Sequence, residues 1–178
     1  MGTIFVDNIR EHTASHGVHI PGHICQVVTW TVAENVRSTS GSWAANTVPT
    51  LPNTYDVEKF LFTKKFSNSK VVFQASGHVD HESIGGGSPS IVCLFTDDNE
   101  VDSASGFTLI GSAYRHVRYN NDEPFGYNFA GEDTTTGLIK YYKLRCHSGA
   151  ASMRFSRMAA GSGIGNLPYR ILFWEVMQ

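Results

Sequence analysis

The sequence predicts an all-β protein, an antiparallel β-sandwich or jelly roll with a short N-terminal β segment attached. Three observations carry this. Short apolar runs of five to ten residues alternate with polar turns along the chain, the spacing of a sandwich rather than of crossover units. No window of eleven or more residues has a capped 3.6-residue apolar period. Aromatics make up 12% of the 178 residues and there are 17 glycines, the profile of strands joined by tight turns.

Taken in order, residues 3–10 read as a short strand, 11–17 as a turn and 18–21 as a second short strand closed by Gly22. Two short strands cannot bury a face alone, so residues 1–24 are expected to form an attachment or trimerisation segment, with residues 25–178 as the head. Residues 23–32 are extended and rich in β-branched side chains, and residues 57–62 form a further strand. Residues 70–79 alternate, with Val71, Phe73, Ala75 and Val79 on one face and Gln74, Ser76 and His78 on the other. Residues 90–95 have the character of a buried strand, and 138–146, 152–158 and 168–177 complete the set. Residues 114–119 show no decisive alternation. Turns are expected at 97–99, 120–122, 131–133, 147–149 and 160–163.

The closing run is apolar on both sides. Tyr169, Ile171, Phe173 and Met177 lie on one face and Leu172, Trp174 and Val176 on the other. A surface strand of a lone sandwich normally alternates with polar residues. One face is therefore expected in the core and the other in a subunit contact. The interface candidates are Ile4, Val6, Ile9, Val18 and Ile20 of the leading segment, with Leu172, Trp174 and Val176.

Composition removes several functions. Fourteen Lys and Arg against 16 Asp and Glu leave a formal charge of −2, with no basic excess for a phosphate backbone, so nucleic acid is not an expected partner. No stretch approaches the ~20 apolar residues of a membrane helix, and the first ten residues do not read as a secretory signal. Cys25, Cys93 and Cys146 are odd in number and widely spaced, which fits free thiols rather than a disulfide framework.

Enzyme signatures are missing: no GxSxG elbow, phosphate loop, HExxH or paired CxxC occurs. GSGIG at 161–165 has no helix behind it and reads as a hairpin loop. His12, His16, His19 and His23 have helical spacing, but Gly17, Pro21 and Gly22 exclude the helix, leaving turn and interface histidines. HVDHE at 78–82 combines two histidines and two carboxylates without a matched nucleophile, and reads as a solvated loop. DDNEVD at 97–102 lacks the glycine and distal Glu of a calcium loop and reads as an acidic turn. No catalytic residue, metal or cofactor is expected. Aromatics beside Asn and Asp could contact a glycan, and the ligand-contact candidates are Tyr119, Asn121, Asp122 and Tyr127.

IFVDNIR (4–10) followed by VHIPGHICQVV (18–28) resembles the short lead-in of phage tail-fibre-type virion proteins, notably those of marine and cyanobacterial phages. FTKKFSNSKVVFQAS (62–76), IVCLF (91–95), IKYYKLR (139–145), MRFSR (153–157) and RILFWEV (170–176) follow in the order that such proteins show. The resemblance spans most of the chain. It implies a compact sandwich head, commonly a homotrimer, on the surface of a virion made in a bacterial cytoplasm. It also implies other virion proteins as partners through the leading segment, and a host glycan or receptor as a further partner. A capsid decoration protein and, behind it, a glycan-degrading enzyme are the alternatives.

Overall fold

The computed structural model of the chain describes residues 22–33, 35–38, 54–82, 88–97, 107–117, 123–148, 152–156 and 168–178. Among these the chain forms strands and no helix: β1 (Ile24–Val32), β2 (Asn35–Ser38), β3 (Tyr55–Thr63), β4 (Lys70–Glu82), β5 (Ser88–Asp97), β6 (Thr108–Val117), β7 (Glu123–Asp133), β8 (Ile139–Ser148), β9 (Ser152–Phe155) and β10 (Tyr169–Val176). The leading-segment candidates Ile4, Val6, Ile9, Val18 and Ile20 lie outside the described residues, as do Tyr119, Asn121 and Asp122.

All pairings are antiparallel. One sheet runs β1–β10–β4, with β7 on the other edge of β4. The thirteen-residue β4 uses one edge twice: β10 pairs its first half and β9 its last four residues, with β2 beyond β9. The second sheet runs β3–β8–β5–β6. Among the eight longer strands the chain changes sheet at every step except the β5–β6 hairpin, which makes the sandwich a jelly roll.

The period-2 rule sets the core in rows across the first sheet. Inward rows read Val28–Phe173–Phe73–Gly131, Trp30–Ile171–Ala75–Phe129, and Val32–Tyr169 beside Gly77–Tyr127. Phe173 is fully buried at the centre, with its ring 4.8 Å from Tyr142, 5.5 Å from Phe60 and 5.7 Å from Phe62. Trp30 stacks on Phe60 at 5.2 Å. Two glycines let β6 and β7 close this core. A Cβ on Gly131 would run into the Ile110 carbonyl oxygen and the Phe73 ring, and one on Gly111 would lie 2.8 Å from the Phe73 and Phe129 rings.

The two ends of the core are polar. At one end Glu175, fully buried, accepts hydrogen bonds from the backbone N–H groups of Lys65 and Phe66, both at 2.9 Å, from Ser69 Oγ at 2.6 Å and from Gln26 Nε2 at 2.7 Å. The Lys64 ammonium donates to the carbonyls of Ser67, Ser69 and Thr135. Together they staple the β3–β4 turn to the β7–β8 turn, and burying them stays tolerable because partners surround each charge. At the other end, Tyr127 Oη meets His81 Nε2 at 2.8 Å and the Ser90 hydroxyl. Nearby, Ser156 holds φ 57°, and its hydroxyl donates to the Val32 carbonyl while accepting from the Tyr169 N–H, which locks the end of β1 to the start of β10.

The structure changes three sequence readings. Residues 123–133 form a full strand, where the sequence suggested a gap ending in a turn. HVDHE is the end of β4 rather than a solvated loop: Asp80 and His81 are fully buried, Asp80 lies 3.7 Å from Arg154 Nη1, and His81 points into the core. Tyr127, proposed for ligand contact, is 1% exposed, because β7 turns it inward opposite Gly77.

Candidate functional site

With the inward rows saturated, the outward rows of the first sheet are what it presents. They follow from the same register one residue on. Val27, Trp174, Val72 and Glu132 form one row. Thr29, Leu172, Gln74 and Ala130 form the next, and Thr31, Arg170, Ser76 and Asn128 the third. Val176 lies beyond the first row, between Ile24 and Lys70.

The face is therefore split along its strands. The end near Val176 is apolar: Val27 is 54% and Ile24 49% exposed, while Val72, Trp174 and Val176 are half-buried. Its rim is charged, with Lys70 Nζ bonded to Glu132 at 2.8 Å. The other end is polar and holds an open depression of about 260 Å³, lined by Thr29, Gln74, Ser76, Arg170 and Leu172. Thus Leu172, Trp174 and Val176, the interface candidates within the described residues, share the outward face of β10 and are not enclosed by neighbouring strands. Sequence patterning places these three β10 residues on one face. It missed Val27 and Val72, which join them only through the strand register.

The outward face of the second sheet differs. Ile91, Cys93 and Phe95 are buried there, with Phe107 and Leu109 packed on them and Lys143 Nζ 4.2 Å over the Phe107 ring. Burial lowers the Lys143 pKa, with the charges of Asp56 and Asp97 opposing and those of Arg145 and Lys59 adding to the shift. Burial raises the Cys93 thiol well above its ordinary value, which makes it a core thiol and a poor nucleophile. His147 is buried and stacks on Tyr55 at 5.8 Å, whereas its neighbour Cys146 belongs to the main core. The pair therefore sits on opposite faces of β8, as a strand requires. Among the described residues no three His, Cys, Asp or Glu converge on a metal-sized site.

One buried carboxylate makes stability pH-dependent. Desolvation is the largest single influence on Asp133 and would raise its pKa. Hydrogen bonds from the Thr135 hydroxyl and N–H and from Thr96, with the charge of Lys140, together outweigh it and hold the pKa below the usual range. A depressed folded-state pKa adds stability above the unfolded value of about 4, and that stability is lost as pH falls through the folded value. Asp133→Asn is expected to flatten this acid limb, measured as melting temperature between pH 7 and pH 3.

No family model matches the chain, and no curated protein does. Among solved structures it is similar to one described as "EclA C-terminal domain; sugar-binding protein", at 16% identity and a TM-score of 0.32, over 93% of this chain and 89% of that one.

Proposed function

We propose that the chain is a structural and attachment subunit of a phage particle, of the tail-fibre kind, whose jelly-roll head assembles with copies of itself through the apolar end of the β10 face. The observation that carries the self-association is the outward-facing row Val27–Trp174–Val72, with Ile24 and Val176 beside it, in which Val27 and Ile24 are exposed and the others half-buried. Its sheet has its core on the other side, and among the described residues no further strand packs over this apolar surface. Contiguous apolar surface of this kind marks association sites. The occupants are further copies of the chain, since an aromatic anchor within an apolar strip and a rim carrying both Lys70 and Glu132 suit contacts between like chains around a symmetry axis. The sequence resemblance supports the virion setting and the trimer. The aromatic-rich sandwich and the polar end of the same face support attachment to a host-surface glycan.

Light scattering or native mass measurement on the purified chain tests the assembly. An oligomer at micromolar concentration is expected, and Trp174→Lys is expected to weaken it at least tenfold while leaving the melting transition cooperative, because an outward residue is replaced. A wild-type chain that stays monomeric at that concentration would sink the proposal. Electron microscopy of intact particles labelled against this chain tests the location: tail labelling is expected, and labelling confined to the capsid lattice would replace the fibre with the decoration role.

A further inference from the structure

The depression at the polar end of this face is built from side chains with unspent hydrogen-bonding capacity. Thr29, Gln74, Ser76 and Arg170 line it, with Leu172 as its apolar wall. These residues sit at matched register positions on three adjacent strands: Thr29 opposite Leu172 and Leu172 opposite Gln74, then Arg170 opposite Ser76. Asn128 and Ala130 of β7 flank Ser76 and Gln74 on the far side. Short side chains at Thr29 and Ser76 beside the longer Arg170, Gln74 and Leu172 shape the hollow.

We infer that this hollow binds an acidic sugar unit of a polysaccharide, a carboxylate-bearing ring of the uronic acid class. The inference deepens the attachment role proposed above and rests on it. The guanidinium presents a planar fork that matches a carboxylate through two parallel hydrogen bonds. Gln74 offers both a donor and an acceptor, and Ser76 and Thr29 each offer a hydroxyl, which is the complement that ring hydroxyls need. Leu172 gives the C–H face of the ring an apolar wall. The volume suits one sugar ring with its first water shell, and the hollow is open enough for the polymer to continue on either side. A phosphate fits less well. Among the described residues Arg170 is the only cation lining the hollow, and the chain carries a net negative charge, so a dianion would be left half-neutralised.

The test titrates the full-length ¹⁵N-labelled chain with three probes: a glucuronic-acid-containing disaccharide, the neutral glucose disaccharide and glucose 6-phosphate. Saturable shifts confined to the amides of Thr29, Gln74, Ser76, Arg170 and Leu172 are expected with the first probe. The neutral sugar is expected to bind at least tenfold more weakly, and the phosphate to fall between them. Arg170→Ala is expected to abolish the preference for the acidic sugar, and Arg170→Lys to restore only part of it, with the oligomeric state unchanged in both. Arg170 is exposed, so neither variant threatens the fold. Equal binding of acidic and neutral sugars, stronger binding of the phosphate, or an acidic preference that survives Arg170→Ala would overturn the inference. Host-cell adhesion that persists in Arg170→Ala would overturn the hollow while leaving the attachment role standing. Loss of adhesion by the wild-type chain to every host glycan would remove both.

Discussion

Phe173→Ala is expected to destabilise the fold by about 3–5 kcal/mol, the range for deleting a fully buried aromatic ring. The ring lies between the sheets, within 4.8–6.4 Å of Tyr142, Phe60, Phe62 and Phe73. Its neighbours come from β3, β4 and β8, so no single strand can move in to fill the void. Tyr142 could not follow cheaply, because its hydroxyl donates to Asp133 at 3.1 Å. Denaturant unfolding measures the loss. A change below about 1 kcal/mol would show that the two sheets do not meet on this ring. Phe173→Leu, which keeps most of the volume, is expected to cost less than half as much.

The second large effect is expected at Gly77, where Ala should cost roughly 2–5 kcal/mol from two separate causes. The backbone there holds φ +155°, a conformation that side-chain-bearing residues rarely adopt. A Cβ would also lie 2.6 Å from the Tyr169 Cα, a backbone atom that cannot swing aside. Tyr169 is pinned in turn by its N–H bond to Ser156 Oγ, so relief would need β10 to detach from β4 at the point where β9 takes over that edge. Thermal melting of Gly77→Ala checks this. A shift of less than 2 °C would mean that β10 yields more readily than its bonding suggests.

Much of the fold is legible in the residues themselves. The faces of β4 follow from Val71, Phe73, Ala75 and Val79 alternating with Gln74, Ser76 and His78, and all four apolar residues are buried. The double character of β10 is equally plain, with Tyr169, Ile171 and Phe173 inward and Leu172, Trp174 and Val176 outward. β7 escaped because its alternation, Phe125, Tyr127 and Phe129 against Gly126, Asn128 and Ala130, uses glycine and asparagine in the outward positions. Those residues are also turn formers, and only pairing along the whole of β4 decides between the two readings. The same ambiguity put Tyr127 on the surface. The Glu175 staple was illegible for another reason. Its partners lie in the β3–β4 turn and on β1, far away in the chain, and a lone Glu in an apolar run gives no sign of which N–H groups it will meet. The polar hollow had no local signature either, since three strands each supply one or two ordinary surface residues.

The two ends of the described fold clasp one another: the Gly22 N–H donates to the Met177 carbonyl at 2.9 Å, and the Met177 N–H to the His23 carbonyl at 2.9 Å. The register of the strands carries β4 and β10 away from this pole in opposite senses, so that Val117 and Glu123 reach the far one. A pull between the two ends would therefore peel β1 from β10 like a zipper, breaking one rung at a time under little load. A pull from Gly22 against something held at the far pole would instead run lengthwise along the strands and tug on many rungs together. A chain held at residue 22 and pulled at the far pole is thus oriented to bear tension, and stretching single molecules in the two geometries should give a low rupture force in the first and a much higher one in the second.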